Sequence, residues 1–419
     1  MSDVHLGCTR YNLAESPKDF FDAWISVIHK YVLNNDVDFV IICGDFFHKK
    51  SVPPETMNYA IDGLALIREA GIPVVAIEGN HDQKPTDMEF SWLRSLSRWG
   101  YIKLLEPSVR DKIAVYDPWD EDAKKGGYID IGRARIFGSE WYGASGNWAI
   151  PALVDSIKIH QREDAFHILM LHTDVEGYQT HPIPAINVRT LSELKEVAQY
   201  VGLGHTHMHY EIDNWAFNPG SIEITDISQF RETRGIFVVD VDDDNTVHAY
   251  HQTDYVYRDF QRLVFDVSRS VGSEDVVESV LELVEREARV AEEGKPSPII
   301  EIALIGIIGF PSHLIDMRRM SVDAKKLTSA LEVRIKNKTT ATSDVVTSYK
   351  AESHDRTLLE RKVIGSLVSK DIRFRKRPDL FTDMILAAKN MVLDQEDPED
   401  IAGMISIRML EAENDSEKE

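Results

Sequence analysis

"DFVIICGD", residues 38–45, runs from five successive apolar residues straight into a glycine and an aspartate. A short, continuous apolar run suits a strand buried on both faces, and Gly44–Asp45 marks where it leaves the sheet. Three later stretches repeat the design: "IPVVAIEGNHD" (72–82), "FHILMLHTD" (166–174) and "VGLGHTH" (201–207). Helical patterns lie between them. "SPKDFFDAWISVIHKYVL" (16–33) opens with Ser16 as N-cap and Pro17 at the first helical position, and places Phe20, Trp24, Ile28 and Val32 on one face. "PPETMNYAIDGLALIREAG" (53–71) ends on Gly71, a fitting C-terminal stop. Buried strands alternating with helices predict an α/β fold with both sheet faces covered. "ARIFGSEWYG" (134–143) and "RGIFVVDVDDDNTVHAYH" (234–251) read as hairpins, so part of the sheet is expected to be antiparallel.

The chain has 419 residues, 43% of them hydrophobic, which suffices for two or three domains. No apolar run reaches the length of a membrane span and the start lacks a signal-peptide pattern, so no membrane association is expected. Two cysteines, Cys8 and Cys43, give no disulfide framework, and a cytoplasmic location follows for a prokaryotic source. A formal charge of −23 speaks against indiscriminate binding of polyanions, although a local basic strip or bound cations can dominate one face. No G-x-x-x-x-G-K-[ST] loop is present, which excludes that mode of nucleotide binding.

Open α/β sheets bind ligands just beyond the carboxyl ends of their strands. Asp3 and His5 in "SDVHLG", Asp45 and His48 in "GDFFHKK", Asn80 and His81 in "GNHD", His172 in "LMLHTD", and His205 and His207 in "GHTH" all fall there. Taken singly, an aspartate or asparagine at such a point is as readily a turn residue. In "GLGHTHMHYE" (202–211) the histidines alternate, and period two puts residues i and i+2 on one face of an extended segment. His209 lacks the strand-end context and reads as a solvated or supporting residue. Imidazole, carboxylate and carboxamide donors together suit Mn, Fe or Zn better than Ca or Mg. The donors are too many for one ion. One carboxylate, most naturally Asp45, is expected to bridge two ions about 3.5–4 Å apart.

In this order, D-x-H, G-D, G-N-H-[DE], H and G-H-x-H resemble the motifs of the calcineurin-like metallophosphoesterases. With "HKKSVPPETM" and "NPGSIE" added, the chain looks more narrowly like the SbcD-type nucleases of double-strand-break repair. That resemblance implies a mixed-sheet sandwich with helices on its outer faces over residues 1–260. A small α/β capping domain that contacts DNA would follow at 261–340, then a linker at 341–352. A helical ATPase-binding region would occupy 353–414, and a disordered tail 415–419. It implies one Mn2+ held by Asp3, His5, Asp45 and His207 and a second by Asp45, Asn80, His172 and His205, with Mg2+, Zn2+ or Fe2+ left open. His81 matches the catalytic histidine that assists the leaving oxygen, and His48 a second histidine that orients the phosphodiester. The implied partners are DNA ends, single-stranded and duplex, an SMC-like coiled-coil ATPase, and a second copy of the chain through the nuclease domain. The implied activity is exonuclease and endonuclease cleavage. Family members carry a full apolar strand before S-D-x-H, so either the start is misassigned or trimmed, or Asp3 and His5 lie on an unsupported terminus.

Beyond residue 260, "RLVFDVS", "SEDVVESVLELVEREARV", "PIIEIALIGIIGF", "SVDAKKLTSALE" and "EVRIKNKT" read as strand, helix, strand, helix, strand. "RFRKR" (373–377) is the densest basic run, a solvated loop or a DNA or partner contact. Leu359, Val363 and Leu367, then Phe381, Met384, Ile385, Ala388 and Val392, recur at helical spacing and suit docking on a partner as well as self-packing. In "MEFSWLRSLSRW" (88–99) the surplus of large apolar residues suits the dimer contact.

Overall fold

A computed structural model describes residues 1–110, 113–179, 185–341, 356–370, 374, 377–393 and 396–414. The linker at 342–352, Arg373, Arg375 and Lys376 of the basic run, and the tail at 415–419 lie outside the described residues. Contacts divide the chain into two compact units: Met1–Leu263 with Glu287–Glu301 and Ala324–Arg334, and Val264–Arg286 with Ile302–Asp323 and Ile335–Glu419.

In the first unit, β1 (Val40–Cys43), β2 (Val74–Ile77) and β3 (Lys103–Leu104) form a parallel sheet in that order. β4 (Ser108–Arg110) and β5 (Ile113–Val115) make a separate hairpin. The larger sheet is built from β6 (Tyr128–Ile131), β7 (Ala134–Phe137), β8 (Phe166–His172), β9 (Tyr200–Gly204), β10 (Tyr210–Ile212) and β11 (Ala216–Asn218). Its order is β10–β11–β9–β8–β7–β6, parallel inside and antiparallel at both edges. β12 (Ile236–Val241) and β13 (Val247–Gln252) form the expected hairpin.

Period-two burial explains how these strands stack. Cys43, Val75 and Ile77 share a core with Ile168, Met170, Tyr200 and Phe217, so the two sheets face one another. The alternate residues of the smaller sheet, Ile42, Val74 and Ala76, pack under α1 (Ser16–Val27), α2 (Pro54–Glu69) and α3 (Trp92–Arg98). On the larger sheet Leu169, Leu171, Val201 and Leu203 meet α4 (Gly146–Lys158) and α5 (Val188–Ser192). The result is a mixed-sheet sandwich clad in helices, which places the carboxyl ends of β1, β2, β8 and β9 together.

Two local readings are corrected. Ser16 is the first helical residue rather than the N-cap. Its hydroxyl is drawn away, accepting from the Arg10 backbone at 2.8 Å and donating to the Cys8 carbonyl at 3.0 Å. Asp3 and His5 are not left without support. The Met1 amino group donates to Ile41 O, Cys43 N–H to Met1 O, Asp3 N–H to Gly44 O and His5 N–H to Asp45 O, each at 2.9–3.1 Å. Residues 1–6 therefore run along β1 and its exit, and both side chains are buried.

Later in the chain, β14 (Phe260–Asp266), β15 (Ile299–Ile305) and β17 (Glu332–Asn337) form a sheet in that order, and β16 (Ile307–Ile308) pairs with β18 (Thr340–Ala341). The helices of this region are α6 (Ser273–Glu287) and α7 (Met317–Thr328). The second unit ends in α8 (Arg356–Lys370), α9 (Pro378–Leu393) and α10 (Pro398–Asn414). Ion pairs Lys389–Glu360 and Arg361–Asp383 join α8 to α9, while Val363, Leu367, Ile385 and Val392 stay exposed.

Candidate metal centre

Each strand carries its candidate to one place. Asp45 follows β1, Asn80 and His81 follow β2, His172 ends β8, and His205 follows β9. Turning side chains inward there strains the backbone: Asp3, His5, Asp45 and His205 all have positive φ, between 50° and 88°. Such conformations persist only where surrounding structure enforces them, and they gather at functional sites. Glycine is required beside them. A Cβ on Gly79 would lie 2.1 Å from Asp45 Oδ1, and one on Gly44, at φ +88°, 2.4 Å from His172 Nδ1.

Two donor clusters result, with Asp45 between them. In the first, His5 Nε2 faces His207 Nε2 at 2.9 Å, and Asp3 Oδ1 lies 3.9 Å and 3.6 Å from those nitrogens. In the second, His172 Nε2 lies 3.2 Å from Asn80 Oδ1 and 3.4 Å from Asp45 Oδ2, and the His205 ring is 5.0 Å from that of His172. Asp45 Oδ2 is also 3.8 Å from His5 Nε2, which makes it common to both. The donor atoms of Asp3, His5 and His207 lie within 4.8 Å of one another, and so, as a separate group, do those of Asp45, His172 and His205. His5, His48 and His81 gather at the same spacing.

The electrostatics follow from burial and these neighbours. Burial, then His207, holds His5 well below the usual imidazole range, so it is a neutral donor at pH 7. Burial lowers His172 too, but the Asp45 carboxylate outweighs it and raises His172 to about 9. Burial works against charge on Asp45, and His172 overcomes it, keeping the carboxyl ionised. The His172 Nδ1–H donates to Cys43 O at 2.8 Å, which aims Nε2 at Asp45 and Asn80. The donor set, buried at Asp3, His5, Asp45 and His172 and half-buried at Asn80, His205 and His207, is pre-aimed around one shared carboxylate and fits divalent cations.

His48 and His81 stand beside the first cluster, their rings stacked with centroids 5.3 Å apart. His81 Nδ1–H donates to His48 O at 2.6 Å, and its backbone N–H donates to Asp45 Oδ1 at 2.9 Å. Burial and the nearby His81 lower His48 to about 4.

The alternation of the three histidines has a different cause from the one expected. β9 stops at Gly204, and His205 takes φ +88°, so residues 205–209 form a turn rather than a strand. Asn218 Nδ2 donates to Thr206 O and Met208 O, at 2.6 Å and 2.7 Å, and pins that turn. His209 points elsewhere, stacked on His251 at 3.8 Å.

Three supporting residues escaped the sequence reading. Asp174 Oδ2 lies 3.5 Å from His205 Nε2, while its Oδ1 accepts from Thr206 Oγ1 at 2.6 Å. Gln229 Nε2 is 2.9 Å from His207 Nδ1. Buried Asp82 accepts from the backbone N–H groups of Phe46, Phe47 and Gly79 at 2.9–3.1 Å, lashing the β1 exit to the β2 exit. The signal for Asp82 was its place in "GNHD"; the others are remote in sequence from what they touch. Asp82→Ala orphans three buried donors and is expected to cost about 3 kcal/mol or more, read as a lowered midpoint in thermal unfolding. An unchanged midpoint would mean that water satisfies those donors.

The family description "Calcineurin-like phosphoesterase" matches residues 1–209. Residues 1–209 form a domain of that family. Among curated proteins, it is 30% identical over 234 residues to the DNA double-strand break repair protein Mre11 of Archaeoglobus fulgidus, covering 55% of this chain and 50% of that one. The Mre11 protein of Sulfolobus acidocaldarius is 25% identical over 318 residues, 74% of each chain. That of Methanococcus maripaludis is 24% identical over 271 residues, 62% of this chain and 67% of its own. The match therefore spans half the length of the Archaeoglobus relative and about three quarters of the Sulfolobus one. No helix among the described residues is long and apolar enough to cross a membrane.

Proposed function

We propose that this chain is a two-metal, Mn-dependent nuclease that cleaves phosphodiesters at DNA ends, working beside an SMC-like coiled-coil ATPase. The observation that carries the reading is the position of Asp45, buried between two donor clusters and common to both. The names of the relatives supply the substrate class, and the imidazole-rich donor set favours manganese over magnesium. Asp3, His5, Asp45 and His207 would hold one ion, and Asp45, Asn80, His172 and His205 the other. Bound there, divalent ions supply Lewis acidity that acidifies water and offsets charge on a phosphoryl group.

The chain's own residues do the rest. His81 fixes its Nδ1–H on the His48 carbonyl, which leaves Nε2 to hold a proton for the departing sugar oxygen. His48, neutral at pH 7, stacks on that ring and limits how the phosphodiester can lie. Metal-stripped protein resupplied with Mn2+ tests the reading on a blunt duplex and a short single strand, beside bis(p-nitrophenyl) phosphate. DNA cleavage that requires Mn2+ supports it. Hydrolysis of the small diester with DNA left intact would instead mark a small-molecule phosphodiesterase.

The exposed apolar side chains of α8 and α9 are the proposed ATPase contact, and Met88 and Trp99, exposed around α3, the proposed contact with a second copy. An aspartate buried in an apolar groove without a partner is costly. Ile385→Asp is therefore expected to abolish co-purification with the ATPase while Mn-dependent cleavage of a short single strand stays within about twofold. Retained binding would remove α9 from the contact.

A further inference from the structure

We propose that a buried ion network centred on Arg10 and Asp19 positions His207, and so governs one metal position and not the other. Arg10 is buried, its guanidinium 4.8 Å from the ring centroids of both Phe20 and Phe260. It donates to Asp19 Oδ2 at 2.7 Å and to Ile224 O at 2.5 Å, and lies 3.1 Å from Glu223 Oε1. Arg258 grips the same Asp19 with two bonds, at 2.7 Å and 2.5 Å, and its backbone N–H donates to Glu223 Oε2 at 2.9 Å. Its remaining arm donates to Ser297 O. Two guanidinium groups and two carboxylates thus balance out of water.

Four buried charges are a poor way to gain stability, because desolvation offsets most of their attraction; a network of this kind holds a geometry instead. Here the geometry is that of the loops supplying the first cluster. Arg10 lies five residues after His5 on the loop that carries Asp3. On the other side it clamps Ile224, next to Thr225, whose Oγ1 is 3.3 Å from His207 Nδ1. Gln229 completes the turn, its Oε1 accepting from Thr225 N–H at 3.1 Å and its Nε2 facing the same His207 nitrogen at 2.9 Å. The line runs from Arg258 through Asp19, Arg10 and Ile224 to Thr225, Gln229 and His207. Among the described contacts the network's bonds end at His207 and none reaches Asn80 or His172; His205 is met only one step on, where Asp3, 3.6 Å from His207 Nε2, accepts its backbone N–H at 3.1–3.2 Å. The residues act through His207 and are positioning residues.

The inference rests on the two-metal reading, and the test separates them. Calorimetric titration of the metal-free full chain with Mn2+ should give two binding steps. In Gln229→Leu, a change at a half-buried site, and in Arg258→Lys, which keeps the charge but loses the two-bond grip, one step should weaken by about tenfold or more, as losing a ligand's outer hydrogen-bond partner does. The other step should stay within about twofold, and the metal-free melting temperature of Gln229→Leu should not move. Equal weakening of both steps, or of neither, in Gln229→Leu would overturn the proposal and leave the two-metal reading standing. A single step in the unaltered chain would overturn both.

Discussion

Asp45→Asn is expected to lose bound metal and to slow cleavage by well over the ~10²-fold that loss of a mere outer partner can cost. The reason is position. Asp45 Oδ2 lies 3.8 Å from His5 Nε2 and 3.4 Å from His172 Nε2, so one oxygen atom serves both clusters. Asparagine keeps the size of the side chain and one acceptor, and its Oδ1 can still take the His81 backbone N–H, so the fold should survive. What disappears is the buried negative charge that holds His172 up near 9 and that two divalent ions would share. Metal content per chain, measured beside the cleavage rate, decides the matter. A fully active variant that still carries two ions would refute the shared role of Asp45.

His81→Ala should behave differently, keeping metal and fold while cleavage falls by ~10²–10⁴, the usual contribution of a positioned acid or base. His81 is oriented by two contacts that fix it without engaging its Nε2: the backbone bond to Asp45 and the ring bond to the His48 carbonyl. Its place in the His5, His48 and His81 grouping leaves a rival role as a ligand. The variant separates the two, because a ligand's loss lowers occupancy and a proton carrier's does not. A fall in bound metal equal to the fall in rate would make His81 a ligand.

Much of this centre was legible because the chemistry sits where an apolar run stops. "DFVIICGD", "IPVVAIEGNHD" and "FHILMLHTD" each hand their donor to the end of a buried strand, and parallel strands bring those ends together. What resisted reading depends on contacts across the fold. The period-two spacing of His205, His207 and His209 suggested a strand, yet a turn pinned by Asn218 orients them. The anchoring of Asp3 and His5 was hidden because residues 1–6 pair along β1 without the apolar alternation that marks a strand. Asp174 and Gln229 act on histidines more than twenty residues away and carry no local signature. Arg10, Asp19, Glu223 and Arg258 look like ordinary surface charges in sequence; only folding shows that they are buried together.

Anomalous diffraction from crystals soaked in Mn2+ tests the two-metal claim most directly. Two manganese peaks about 3.5–4 Å apart are expected, with the Asp45 carboxylate between them. Asp3, His5 and His207 should surround one peak, and Asn80, His172 and His205 the other. A single peak, or a second peak bounded by His48 and His81 instead, would contradict it.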